Sequence, residues 1–480
     1  MATSDIAEVQ SQNFSRGLVT VKPAHLLEEG ESPSNQNVDF SRSVGRITKR
    51  RGHSLLYTAL GGASPVSGLG ELCLANGTTS LVASSDDTVY ALSGSGTWTS
   101  IHTNASLNGA VVNFTTYNNL LIFVSENLTS QKYTGSGSSS NLGGTPPSNV
   151  KYIRSHRNRV WMANSSAGKS RVHYCALDNP EDWTTSGDAG FVDIGLDDGE
   201  QITGLASVGP HLMVFKQNST WVIKNGTPAT FQVQRVSAAI GCVAPKSIVE
   251  CEQFALFLSN NGVYAANQGG VALMSYNIQP DFDSMSNATK ALASAGRLRT
   301  QYWLSVDTDS NSLNDTAYVL DYVYGIWGKY SNKKEHVYLT RQDGTLVSGS
   351  SDTDVIRKHD DTENDNGVAI SMSYSTPYYD FGSWSRRKQM HDIIVKTNAI
   401  TGKTLLVSHK VDGTTQSDTK TFNLDAVLSG NDQVIHKFYH PPGLSHGLNV
   451  QIVFSNAETS APVEIFSFST MAKIRERENG

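Results

Sequence analysis

Short runs of Val, Ile, Phe, Tyr and Trp alternate along this chain with clusters of Gly, Asn, Asp and Ser. Apolar residues almost nowhere recur at the three- and four-residue spacing of a helix face, so the runs read as strands and the polar clusters as hairpin turns. One unit repeats: an apolar strand, a polar tip, then a strand carrying an aromatic. It occupies residues 80–92, 120–133, 159–174, 212–224, 254–267, 301–322 and 344–360. Successive units start 39 to 53 residues apart, a period at or just above that of propeller blades.

A four-stranded sheet that buries both faces needs neighbours, and a radial arrangement leaves few exposed edges. The pattern therefore predicts an all-β protein whose residues 61–367 form a β-propeller of six or seven blades. A long β-sandwich or a β-solenoid is the competing reading of the same hairpins. From residue 368 to 480 the period is lost, and strands expected near residues 370–374, 393–397, 405–410, 419–424, 436–439, 448–454 and 463–467 read as a compact β-sandwich. Pro441-Pro442-Gly443 marks a loop between two of them. Residues 1–60 are too few for a core of their own. They are expected to pack on the C-terminal sandwich as a platform, or to supply a strand that closes the ring.

Composition narrows the picture. Charged residues make up 17% of the 480 and the net charge is −6, without the basic footprint of a sequence-specific DNA reader. Runs such as residues 120–124 stop far short of the 18 or more apolar residues of a spanning helix, so no membrane span is expected. Residues 1–10 carry acids and no apolar stretch, so no secretory leader is expected either. Cys73, Cys175, Cys242 and Cys251 show no C-x-x-C spacing and read as reduced thiols of a chain made in a cytoplasm.

Catalytic and metal motifs are sparse. No phosphate-binding loop, H-E-x-x-H or G-x-S-x-G occurs. A propeller glycosidase needs two facing carboxylates. The adjacent pairs Asp86-Asp87, Asp197-Asp198 and Asp360-Asp361 would point to opposite faces of a strand. Asp307-Thr308-Asp309-Ser310-Asn311 imitates the start of a calcium loop, but Ser312 stands where the turn glycine belongs and Tyr318 where a bidentate Glu belongs. His436, His440 and His446 straddle a loop without partner cysteines. These readings predict no catalytic residue, no cofactor and no metal: a chain that is not an enzyme. Two short basic clusters are left, Arg46 with Lys49, Arg50 and Arg51, and Arg386, Arg387 and Lys388. They are candidate contacts for an acidic partner surface or for DNA phosphates.

Several strings, taken together, resemble the tail nozzle or packaged-DNA stabilisation proteins of short-tailed bacteriophages. The first runs from Gly30 through Asn37-Val38-Asp39 to Gly45-Arg46-Ile47 and Lys49-Arg50-Arg51-Gly52. Val172-His173-Tyr174 leading to Asn179-Pro180-Glu181-Asp182-Trp183 is the second. In the third, Leu212-Met213-Val214-Phe215-Lys216 and Trp221-Val222-Ile223 precede the stretch from Gly241 to Val249 and that from Phe257 to Tyr264. Asp321 to Trp327 and Asp380-Phe381-Gly382 are in the same style. The resemblance implies a ring of identical subunits, a hexamer, in the virion tail, assembled in the bacterial cytoplasm. Such a ring sits below the head-to-tail adaptor, passes genomic DNA without reading its sequence, and holds tail fibres or tailspikes and a needle or plug protein. The rival of a different class is a carbohydrate-binding or glycosidase-type propeller. A cellular WD-type scaffold is disfavoured by the missing W-D dipeptides.

Overall fold

The first strand of every repeat unit is buried almost from end to end, because neighbouring sheets cover both of its faces. The structure is a computed structural model that describes residues 6–62, 64–224, 226–415, 419–425, 433–439 and 446–475. Seven antiparallel four-stranded sheets follow one another along the chain as blades 1 to 7. They span residues 66–103, 113–141, 152–193, 202–237, 249–273, 294–331 and 335–359, the last completed from elsewhere. Each repeat read from the sequence is the middle hairpin of one blade. Polar outer strands such as Gln232–Ser237 face solvent.

The innermost strands sit side by side around an axis, from Val66–Cys73 of blade 1 to Glu335–Thr340 of blade 7, which returns to lie beside blade 1. Local turns set the hairpins. Asn118 and Asn119 in blade 2, and Arg157 and Asn158 in blade 3, all take positive φ, the double left-handed geometry that matches strand twist in a two-residue turn. Two five-residue helices, Gln279–Asp283 and Asn287–Ala291, bridge blades 5 and 6.

Blade 7 has only three strands of its own. Its outermost strand is His53–Leu55, which pairs His53 with His359 and Leu55 with Arg357. A strand from before blade 1 thus closes the ring and hydrogen-bonds the first part of the repeat to the last. The chain reaches this position through Gly52, where a β-carbon would lie 1.8 Å from the Asn364 carbonyl oxygen.

Two six-stranded sheets build the sandwich, and both terminal regions contribute. In one sheet the long strands Lys388–Asn398 and Glu464–Ile474 pair, flanked by Ile6–Ser11, Gln433–Tyr439 and the short Ile47–Thr48. The other orders Thr404–Val411, Val450–Asn456, Met372–Ser375 and Ser34–Gln36. Phe14, Tyr374, Phe454 and Phe468 meet between them; Phe14 packs edge-on to Tyr374 at 5.7 Å and stacks on Phe468 at 6.1 Å. The sandwich rests on blade 6. Asn37 donates its backbone N–H to Lys329 at 2.7 Å, and Phe40 and Ile326 join the sandwich core. Pro441-Pro442-Gly443 lies outside the described residues.

Candidate functional site

The first basic cluster straddles the seam between sandwich and propeller. Lys49 is 2% exposed and donates to Asn456 Oδ1 at 2.7 Å and to the Glu458 carbonyl at 2.8 Å. Burial pushes its ammonium down to about 8. Arg50 is as deeply buried, and its guanidinium forks onto Asp365 at 3.0 and 2.6 Å while Nε donates to Asn37 Oδ1 at 2.7 Å. Both residues are therefore corrected from surface contacts to internal ones: a side chain sealed in the core cannot touch an adaptor or DNA. Arg46 and Arg51 do reach solvent. Arg46 lies over the Phe466 ring and pairs with Glu464 at 3.2 Å, and Arg51 pairs with Glu363 at 2.9 Å.

The second cluster divides in the same way. Lys388 opens a long sandwich strand, is fully buried, and donates to the carbonyls of Ser383 and Leu448. It too is corrected to an internal role. Arg386 is partly exposed, with Nε donating to the Arg475 carbonyl at 3.0 Å. Arg387 is exposed, and its guanidinium has no partner among the described residues. Beside them Trp384 is 79% exposed, at the rim of a cavity of about 670 Å³ that also meets Val9, Tyr378 and Leu448.

The adjacent carboxylates are used singly. Asp198 takes the buried Lys216 ammonium at 2.7 Å, Asp360 pairs with Arg42 and Arg299, and Asp361 pairs with Lys358 at 2.8 Å. In the Asp307 string the carboxylates cap the loop itself. Asp307 accepts backbone N–H groups of Asn311 and Ser312, and Asp315 accepts those of Thr308 and Asp309. His436 is held by Thr397 at 3.2 Å and stacks on Phe422. His440 and the side chain of His446 lie outside the described residues.

Sequence reasoning missed the axis of the propeller. Side chains divide the bore into cavities of about 290, 220 and 430 Å³. At one mouth Arg154 pairs with Glu250, and Arg341 with Glu71 at 2.8 Å. At the other, Lys246 Nζ lies 2.6 Å from Nε2 of His336, within a wall that includes Val111, Tyr152, Pro245 and Leu292. Burial pushes Lys246 down to about 7, and burial together with the neighbouring Lys246 charge pushes His336 down to about 4. The backbone aims both groups. Pro245–Ser247 forms a single tight turn whose buried Ser247 accepts from the Leu258 N–H and takes the Tyr302 hydroxyl on its carbonyl. His336 sits where the register of blade 7 shifts between Glu335 and Val337, a bulge of the kind that redirects a side chain. Lys246 does lie in one of the strings singled out above, but no motif links it to a histidine 90 positions away.

No protein-family model and no curated protein matches the sequence. Among solved structures, virginiamycin B lyase from Staphylococcus aureus is similar over 62% of this chain and 96% of its own, at 12% identity and a TM-score of 0.43. YCF48 bound to D1 peptide is similar over 63% of this chain and 95% of its own, at 10% identity and a TM-score of 0.42. The extracellular domain of a hybrid two component system from B. thetaiotaomicron is similar over 88% of this chain and 60% of its own, at 12% identity and a TM-score of 0.44. The expectation that this chain is not an enzyme does not stand. A lyase is among the propellers it resembles in fold, and at such identity the likeness assigns neither that reaction nor any other to this chain.

Proposed function

We propose that this chain is a structural subunit of the tail nozzle of a short-tailed bacteriophage, assembled with its own copies as a hexameric ring beneath the head-to-tail adaptor. The observation that carries the reading is the ordered set of sequence strings that resembles that family, from Gly30 to Gly52 and on through Gly241 to Tyr264. Their places are consistent with a shared architecture. The first string threads the sandwich to the propeller, and the third builds blade 4 and leads into blade 5.

The propeller bore, broken into cavities of a few hundred cubic ångströms, is not the DNA conduit. In this reading the duplex passes between copies, through a lumen that the ring encloses. A chain of net charge −6 suits such a lumen, because like charge repels phosphates and lets DNA slide. The sandwich is the surface for the adaptor, with Trp384 and Arg387 presented to solvent. Fibres or tailspikes and a needle or plug protein attach to the remaining faces.

Mass photometry and negative-stain imaging of the purified chain, alone and with the adaptor of its phage, test the assembly. A ring of about six copies is the expected result, six being the implied symmetry of a closed cyclic oligomer. A stable monomer under both conditions rejects the reading.

A further inference from the structure

Lys246 stands out among the cations of the molecule. The buried cations Arg50, Lys216 and Arg357 each meet a carboxylate, and Lys49, Lys290 and Lys388 each donate to carbonyl or amide oxygens, whereas Lys246 has neither partner among the described residues and faces an imidazole instead. The carboxylate on the cavity wall, Glu126, is already paired with Lys151 at 2.6 Å. Asn113, which also lines the cavity, spends its amide on the Lys151 carbonyl at 2.7 Å. The rest of the cavity wall comes from Val111, Pro245, Ala291 and Leu292, with Tyr152.

From this geometry we infer that the axial cavity is a binding site for a small apolar aldehyde or ketone, with Lys246 Nζ as the nucleophile and His336 Nε2 as the base beside it. The cavity, at about 290 Å³, is at the small end of ligand sites. A lysine becomes nucleophilic when an apolar wall strips its proton, and an adjacent base completes the pair. Burial does so here, bringing the amine to about 7 while leaving the imidazole neutral. Tyr152, Lys151 and Glu126 are the other titratable groups on this wall, and Lys151 and Glu126 neutralise one another.

The step balances without a redox partner. The amine lone pair forms the C–N bond while the carbonyl π pair moves onto oxygen. His336 takes a proton from nitrogen and returns it to that oxygen, giving a carbinolamine. The hydroxyl then leaves as water, and both amine hydrogens depart with it as the C=N bond forms. Nothing in this proposal depends on the ring assembly.

Benzaldehyde with sodium cyanoborohydride, which supplies the trapping hydride, tests the site on the intact chain, with peptide mass spectrometry reading each lysine. At pH 7.5 Lys246 is expected to be alkylated at least about tenfold faster than the exposed Lys169 and Lys473. Its rate should rise through about pH 7, where burial places the amine, and not with the reference lysines at higher pH. His336→Gln, checked for folding by its thermal melt, should slow Lys246 at least about tenfold. A rate at Lys246 equal to or below the reference lysines, or a pH profile matching theirs, overturns the site. An unchanged rate in a folded H336Q overturns the assignment of the base.

Discussion

Arg50 and Asp365 form a two-point ion pair, at 3.0 and 2.6 Å, that fastens the N-terminal segment to the connection between blade 7 and the sandwich. The pair is the centre of a larger buried network. His53 approaches the same carboxylate at 3.0 Å, the fully buried Lys333 approaches it at 3.6 Å, and Arg50 lies over the Tyr330 ring. Burial alone would raise the Asp365 carboxyl, but Lys333, the His53 hydrogen bond and Arg50 hold it well below the usual carboxylate range. The ring closure and the sandwich junction therefore share one set of charges.

Asp365→Asn should destabilise the protein by about 3–5 kcal/mol, since it leaves two buried cations without their counter-charge. Urea denaturation followed by tryptophan fluorescence measures this, with Trp303 beside Lys333 as a local reporter. The double variant Arg50→Met with Asp365→Leu should cost less than D365N alone. A D365N midpoint equal to that of the parent would show that the network adds nothing to stability.

Stability should also fall on acidification through the buried histidines. Desolvation holds His53 and His359 below their ordinary value, and His156 and His173 are pushed down to about 4. Between the lowered folded values and the unfolded value near 6.5 the unfolded chain binds more protons, so stability rises with pH there. The melting temperature is thus expected to drop as the pH falls below about 6.5, and Asp365 adds a further loss below about 4 as its unfolded form protonates. His53→Gln should flatten the first part of the curve. A flat melting temperature from pH 7.5 to 5 contradicts the burial of neutral imidazoles.

Gly52→Ala should detach the closing strand. Its β-carbon would meet the Asn364 carbonyl at 1.8 Å, and moving the backbone pulls His53–Leu55 off blade 7. A loss of at least about 2 kcal/mol is expected. Gly94→Ala, where a β-carbon meets open space, serves as the control and should stay within about 0.5 kcal/mol. Equal melting of the two variants would remove Gly52 from the closure.

On the proposed tail-nozzle reading, reversing charge in the exposed pair, Arg386→Glu with Arg387→Glu, should weaken attachment to DNA-filled heads and raise DNA leakage while the propeller stays folded. Both side chains reach solvent, and the Arg387 guanidinium is without a partner among the described residues. In vitro tail assembly with a nuclease-protection readout checks it. Unchanged attachment and retention would exclude this cluster from the adaptor contact.

The seven middle hairpins were legible in the sequence because their cause is local. A strand covered on both faces must be an apolar run, as in Leu120–Ser125, and a tight hairpin tip must tolerate positive φ, as Asp86 does between Thr79–Ser85 and Thr88–Leu92. The sandwich strands are local too, but through alternation: Thr404–Val411 buries every second residue against the facing sheet. What tertiary structure alone decided is who meets whom across the chain. His53–Leu55 is a polar tripeptide with no strand signal, and it closes blade 7 only because the outer edge of Ile356–His359 is open to it. Lys49, Arg50 and Lys388 read as surface cations, since residue type reports charge but not the carbonyls and carboxylates that a fold can bring to it. Lys246 and His336 are 90 residues apart and meet only because blades 5 and 7 share an axis. Periodicity records how a strand is covered by its neighbours; long-range pairing of single charged groups leaves no period to read.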